Sequence, residues 1–558
     1  MENSLSEQAL DEGRMLNDVA IGLRKNFHAL RRIVLCGLAL AGLAGQAWAQ
    51  GDNGVVLPSL EQSIARELSA RPASREWDVV RTTYERRGFA PIWVDAERRS
   101  ALIAAVEESR ADGLEPADYG IAQLRASAPA RPAEDPSVVA AREVLFTGSL
   151  AKLVRHLRYG KVDPRSLHSM WNFSPLPDTG ALAAQLQGVL DGESLPAAVA
   201  AQAPQVDAYR NLRAALARFR ELERAGGWVR IAAGPSLSAG DRGPRVAALR
   251  ARLLASGDLA TPGGANGDRF DDALVSAVKR FQTGHGLDAD GAVGKATLEA
   301  LNVPVTERIS RIRANLERWR WVAADIDPDL LLVDVAGFRA ELRLANQPVW
   351  STRVVVGRPS RETPSLLDSV QHLVLNPKWV VPPTILREDV IPGMRRNPGY
   401  LDSHRLRLVD RSGRTVDASV VDWAGQGGSF PYQVVQSSGA DGSLGQIKFA
   451  LGNRYSIYLH DTPSRALFNR ASRAYSSGCV RVQNPQELAV LLLDDPTQWS
   501  PEALKAAIAT GKTRTVPVNR DITVMLLYYT ADADASGAVH FRKDIYGRDA
   551  RLLSALSS

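Results

Sequence analysis

Cysteine is nearly absent, since the 558 residues hold only Cys36 and Cys479. A disulfide framework cannot therefore organise the fold, and a zinc site built from several thiolates is excluded with it. Cys36 lies in an apolar N-terminal stretch and follows Leu35, where a lipoprotein acylation site needs a small residue. That stretch comes after Lys25, Arg31 and Arg32, runs from Ile33 to Gly45 and ends in Ala47-Trp48-Ala49, the pattern of an export signal with an A-x-A cleavage site. Residues 1–49 are expected to leave as a signal peptide, giving a mature chain from near Gln50. An uncleaved membrane anchor is the alternative, although the apolar run is shorter than the ~20 residues of a span. After cleavage Cys479 is the one thiol left, and an exported protein with an unpaired thiol invites a test for reactivity.

Other features are missing as well. Beyond the N-terminal region there is no apolar run long enough to cross a membrane, and no dense basic block. The net charge of +6 comes with arginines scattered along the chain, which argues against nucleic acid as a partner and suits an anionic extended polymer equally well. The length implies two to four domains.

From 50 to 235 the chain is rich in Ala, Leu and Arg, with helical periodicity over Ser100–Arg110 and Val138–Leu157. It reads as a helical scaffold, with Trp93, Tyr119, Tyr159 and Trp171 packing between helices. Residues 236–303 are tighter. Asp241-Arg242-Gly243 opens a helix with Val246, Leu249 and Leu253 on one face, and Phe270-Asp271 opens a second with Leu274, Val278 and Phe281 aligned. A turn-rich loop through Gly294 precedes a third short helix at Ala296–Leu301. A linker helix is expected within 304–328, ending in the pair Trp319 and Trp321. From 329 to 530 the period changes to strands, beginning with Leu330–Val335, Arg339–Leu344 and Val349–Val356. Residues 382–432 interrupt that pattern with Pro383, Pro392-Gly393 and Asn397-Pro398-Gly399, and read as an inserted lid or binding loop. Residues 531–558 read as a tail.

Chemistry concentrates late in the chain. Ser456-Ile457-Tyr458-Leu459-His460 reads as a strand whose Ile457 and Leu459 face the core, turning Tyr458 and His460 the other way toward a turn at Asp461. In Ser477-Gly478-Cys479-Val480-Arg481-Val482, alternation buries Val480 and Val482 and leaves Cys479 and Arg481 on the opposite face. A thiol near its reference pKa of about 8.5 is barely ionised at neutral pH and needs a neighbouring base, for which His460 is the nearest candidate in sequence. The N–H groups of Gly478 and Cys479 are candidate donors to an oxyanion. His285, His372, His404 and His540 stand in surface or structural contexts.

Two resemblances follow from these motifs. G-D-R-G-P-R-V-A-A-L-R-A-R-L, F-D-D-A-L-V-S-A-V-K-R-F-Q and G-L-D-A-D-G-A-V-G-K-A-T-L resemble the peptidoglycan-binding domain family, implying noncovalent docking on cell-wall glycan or stem peptide. V-V-V-G-R-P-S-R-E-T-P, L-N-P-K-W-V-V-P-P-T-I, S-L-G-Q-I-K-F, Y-L-H-D-T-P and Y-S-S-G-C-V-R-V resemble, in family order, the large scaffold-bearing L,D-transpeptidases. That resemblance implies a multidomain α+β protein: a helical N-terminal scaffold, a small three-helix peptidoglycan-binding module and a β-rich catalytic domain with an inserted lid. It implies an exported, periplasmic enzyme in which Cys479 is the nucleophile and His460 the base. Gly478, Ser477, Arg481, Tyr458 and Asp461 would support the site, and no cofactor or metal would be needed. The reaction implied is 3-3 cross-linking of stem peptides, with an L,D-carboxypeptidase of the same fold or a nonenzymatic peptidoglycan-binding scaffold as the alternatives. Peptidoglycan stem peptides and glycan are the implied partners, other cell-wall synthesis enzymes further candidates, and carbapenem-type β-lactams covalent inhibitors. Many family members carry His where this chain has Ser477, which leaves the base role to His460 alone.

Overall fold

The computed structural model describes residues 58–129, 134–261, 267–425 and 430–558. The export signal read at 1–49 lies outside the described residues. Helices from Leu60–Ser69 to Asp207–Arg224 form the N-terminal part. Their starts follow ordinary capping chemistry: Ser59 and Gln62 make a reciprocal capping box, and Asp178 accepts from the Ala181 N–H. Trp93 and Tyr119 are buried as expected, while Tyr159 and Trp171 pack at the margin of the same core. The centre of this part is polar as well as apolar. Buried Glu143 accepts the Ile92 and Trp93 N–H groups, each at 2.7 Å, and the Tyr84 hydroxyl at 2.8 Å.

The module after it has a core of its own. Helices Pro244–Ser256, Asp272–Gly284 and Lys295–Leu301 bury Val246, Leu249, Leu253, Leu274, Val278 and Phe281 completely, which are the residues the spacing put on one face. Asp271 caps the second helix by accepting from Leu274 N–H at 2.9 Å.

The expected linker helix is instead a central one. Val305–Val322 is buried on nearly every side, packing against the N-terminal helices and against Tyr529 of the β-rich part. Its polar residues are buried too. Glu317 and Arg320, both fully enclosed, form an ion pair at 2.6 Å. Glu317 also accepts the Val162 N–H, and Arg320 donates to the Asp112 carbonyl and the Tyr209 hydroxyl. A spacing rule that looks for one apolar face cannot recognise a helix whose charged residues are satisfied inside the protein.

The β-rich part is a ten-stranded sheet that folds back on itself. Strands Leu330–Asp334 and Arg339–Leu344 appear as read, and the third is longer, Gln347–Gly357. The early half of this long strand pairs with Arg339–Leu344, and its far end with Val480–Val482. The path continues through Leu459–His460, Ile447–Leu451, Leu366–Leu375 and Thr523–Leu527 to Leu330–Asp334, so the sheet closes around a core that includes Phe449, Leu459, Val480 and Val482.

The insertion is not a structureless loop. It holds strands Leu406–Val409 and Thr415–Val416, which join Trp379–Val380 and Gln433–Gln436 in a four-stranded sheet. Short helices, Pro383–Ile385, Ile391–Arg396 and Tyr400–Ser403, lie over it, and Val390, Met394, Leu408 and Val434 form a separate small core. Its elements are too short for periodicity to register, and its prolines and glycines mark the joints between them.

The segment expected as a tail is folded. Ala531–Ala533 and Val539–Phe541 form a hairpin, and helix Arg548–Ser557 packs into the N-terminal helical core. Tyr546 donates to the Gly357 carbonyl at 2.7 Å, Arg548 pairs with Glu362 at 2.6 Å, and the Leu556 carbonyl accepts from Lys161.

Candidate active site

Two short parallel strands bring the predicted residues together. Leu459 pairs with Val480 and His460 with Arg481, while antiparallel pairing places Lys448 on the other side of His460. Leu459, Phe449 and Val480 point into the core and are fully buried. The opposite face therefore carries Lys448, His460 and Arg481 side by side, with Cys479 and Tyr458 at its edge. The alternation read from sequence holds for Leu459, Val480 and Val482.

The strand expected over Ser456–His460 is shorter, and the cause lies in Asn453. Its Oδ1 accepts the Tyr455 and Ile457 N–H groups, and its Nδ2 donates to the Ile457 carbonyl at 2.8 Å. These bonds curl the backbone into a turn, with Ser456 at φ +59°, so regular pairing begins only at Leu459.

The nucleophile candidate sits in a built turn. Ser476 Oγ accepts the Gly478 N–H at 3.1 Å and donates to the Cys479 carbonyl at 2.6 Å. Thr363 Oγ1 donates to the Gly478 carbonyl at 2.7 Å and accepts the Gly357 N–H. Gly478 has φ +116°, a conformation that side chains rarely adopt. Its N–H is already bonded to Ser476, so the reading of this amide as a free oxyanion donor is corrected, and of the two amides the Cys479 N–H alone stays a candidate. Ser477 is exposed, and its hydroxyl accepts from Arg361 at 3.1 Å. Arg361 in turn holds Glu388 and Asp389 of the insertion at 2.8 and 2.5 Å, tying the insertion to the nucleophile turn.

Around the thiol the contacts differ from the simplest expectation. Cys479 Sγ donates to the Ser456 carbonyl at 3.5 Å and lies against Tyr458, and no hydrogen bond joins it to His460 among the described residues. Burial pushes the thiol above its ordinary pKa, opposed by hydrogen bonding from Tyr458 and by the positive charges of Lys448 and Arg481. Burial also raises the Tyr458 phenol well above its usual value, so it stays protonated. Lys448 Nζ lies 4.1 Å from the Tyr458 ring centre, a cation held on an aromatic face.

His460 is buried, and desolvation with the Arg481 charge holds its pKa down at about 3. Its Nδ1 is 2.5 Å from the Asp461 carbonyl. A carbonyl only accepts, so Nδ1 carries the proton and Nε2 the lone pair. Asp461 thus orients the imidazole through its backbone, while its carboxylate accepts the Gln446 N–H and pairs with Arg465. Gly445 makes room for that carboxylate. A Cβ there would lie 2.4 Å from the Asp461 carboxyl carbon, at a backbone φ of +58°. Gly445→Ala is expected to cost about 2 kcal/mol or more in thermal or denaturant unfolding, and to lower activity by displacing Asp461 and with it His460. A variant of unchanged stability would refute this arrangement.

Arg481 carries a buried Nε without a hydrogen-bond partner and, among the described residues, makes no ion pair. Sequence reasoning missed Lys448, Thr363, Ser476 and Tyr546. For Lys448 a signal existed, because in Ile447-Lys448-Phe449 the alternation that buries the flanking residues turns the lysine to the face of His460.

Comparison with known proteins gives three family matches. Residues 328–515 match the L,D-transpeptidase catalytic domain family, residues 242–301 the family described as "Putative peptidoglycan binding domain", and residues 78–216 the Scaffold domain family. A curated relative from Haemophilus influenzae (strain ATCC 51907 / DSM 11121 / KW20 / Rd), named "Putative L,D-transpeptidase", is 36% identical over 222 residues. The match covers 40% of this chain and 45% of that relative, less than half the length of either. A crystal structure of the L,D-transpeptidase (residues 123-326) from Xylanimonas cellulosilytica DSM 15894 is 16% identical and covers 53% of this chain and 99% of that one, with a TM-score of 0.17, too low to carry a structural argument.

Proposed function

Through residues 328–515 this chain belongs to the L,D-transpeptidase family, and on that premise we propose that it is an exported, periplasmic enzyme that forms 3-3 cross-links between peptidoglycan stem peptides. The observation that carries the reading is the face shared by one thiol, one neutral imidazole and two cations on adjacent strands. Cys479 attacks the carbonyl that joins residue three of a donor tetrapeptide to its terminal D-residue. The thiol turns from the Ser456 carbonyl, and its proton passes to Nε2 of His460. The tetrahedral oxyanion is met by the Cys479 N–H, and Tyr458, protonated and beside the sulfur, is a second donor within the site. Collapse releases the D-amino acid, which takes the proton from His460, and leaves a thioester. An amine on a neighbouring stem then attacks the thioester, passes its proton back through His460 to the sulfur, and completes the new amide. Arg481, with no carboxylate of its own among the described residues, is available to one on the donor. The three-helix module is the docking element for the wall, other wall-synthesis enzymes are candidate partners, and a carbapenem-type β-lactam is expected to acylate Cys479.

Mass spectrometry of the protein incubated with disaccharide-tetrapeptide tests this. A cross-linked dimer lacking one terminal D-residue is the expected product. A tripeptide monomer alone would replace the reading with an L,D-carboxypeptidase.

The protonation states give a second expectation. With His460 held near 3 it is neutral throughout the physiological range, and the raised thiol is protonated there. The acylation rate should therefore show no falling limb near pH 6.5, and alkylation of Cys479 by iodoacetamide should accelerate only above the ordinary thiol range. A rate that halves between pH 7 and 6 would contradict a buried neutral imidazole.

A further inference from the structure

Beside the thiol lies a cleft of about 420 Å³ whose walls include Lys378, Trp379, Pro382, Lys448, Asn453 and Tyr458. No Asp or Glu lines it, so its two lysines make it cationic. Lys378 is exposed at the rim, whereas Lys448 is half-buried on the strand that pairs with His460. Lys448 makes no ion pair and no hydrogen bond to an acceptor among the described residues. It faces the Tyr458 ring and the Cys479 side chain.

A half-buried ammonium without a carboxylate is costly unless a ligand supplies one, and desolvation already pulls its pKa down. The proposed reaction names a ligand with a carboxylate at a defined place. In the donor stem the scissile carbonyl is separated from the free terminal carboxylate by a single residue, about 3.5 Å of extended chain. Lys448 Nζ stands 4.1 Å from the centre of the Tyr458 ring, and the Tyr458 side chain also meets Cys479, so the ammonium and the thiol share one neighbour. Resting on the transpeptidase reading, we infer that Lys448 is the specificity residue for the donor: its ammonium takes the free carboxylate of the stem's terminal D-residue in the cleft beside Tyr458. Such an anchor selects the last peptide bond of the stem over any internal one, because only the last is followed by a carboxylate. It also fixes the leaving residue while Cys479 attacks the bond before it.

The test compares binding of disaccharide-tetrapeptide with that of the same compound carrying a C-terminal amide, by calorimetric titration in the Cys479→Ala chain. The acid should bind about tenfold more tightly than the amide, the scale of one charge-assisted hydrogen bond. Adding Lys448→Met should erase the preference, with the acid falling to the affinity of the amide, and Lys448→Arg should restore it. The amide, bound with the same affinity by all three chains, reports that each is folded. Equal binding of acid and amide with Lys448 present, or a preference that survives Lys448→Met, overturns the assignment. A cysteine-intact chain that fails to acylate while the carboxylate preference remains would defeat the transpeptidase reading and uphold Lys448 as the anchor.

Discussion

Cys479→Ala is expected to reduce acyl transfer by on the order of 10⁴-fold or more, the scale seen when a covalent nucleophile is removed. The substitution deletes the only thiol among the described residues. It leaves the turn that presents it intact, because the bonds that shape that turn come from Ser476, Thr363 and Gly357 and not from the thiol. Folding should change little, since the residue is half-buried and its bond to the Ser456 carbonyl is a weak S–H contact. The direct measurement is the intact mass after incubation with donor stem. The unsubstituted protein should gain the acyl mass at Cys479, and the variant should gain none while keeping its unfolding midpoint. Residual cross-linking in the variant would remove Cys479 from the reaction altogether.

The largest effect on stability is expected far from the thiol, at Glu317→Ala. Both partners of the Glu317–Arg320 pair are fully enclosed, and the carboxylate also satisfies the Val162 N–H and the Trp321 indole. Removing it leaves a buried guanidinium without its counter-charge and an unsatisfied backbone donor. Breaking a buried pair from one side costs about 3–5 kcal/mol. The helix that carries the pair contacts both the N-terminal helices and the β-rich part. Denaturant unfolding followed by circular dichroism should therefore show a lower midpoint for helical and tertiary signals together. A loss below about 1 kcal/mol would mean that solvent reaches the pair, as in surface bridges. Glu317→Gln, which keeps the shape and the acceptor oxygen, should be milder.

Much of the architecture was legible in the sequence where periodicity is strong and local. The module helices, with Val246, Leu249, Leu253, Leu274, Val278 and Phe281 in register, are one example. The alternation that sends Leu459 and Val480 inward and His460 and Arg481 outward is another. What escaped depended on long-range satisfaction. Helix Val305–Val322 reads as an amphipathic linker, with one face in solvent, until its arginines meet the Asp112 carbonyl, Tyr209 and Asp549. The insertion hides a sheet because its strands run only two to four residues and two of them lie at its borders. At the site, the sequence offered Gly478 as a donor because glycine permits close approach, but the Ser476 hydroxyl that occupies its N–H is fixed only by the folded turn. Lys448 was overlooked because a lysine in a strand is ordinarily a solvated residue, and only pairing across two strands sets it beside His460.

The folded C-terminal segment bears on when the site comes into being. Thr363, which holds the Gly478 carbonyl, donates its own N–H to the Tyr546 hydroxyl, and Tyr546 in turn donates to the Gly357 carbonyl. Synthesis delivers a chain from its N-terminus onward, so Cys479 is made well before residue 546. Until that tyrosine arrives, the loop that seats the thiol lacks its last brace. The frame around the thiol is thus completed late in the history of each molecule, and a chain halted after the strand of Cys479 carries the thiol without it.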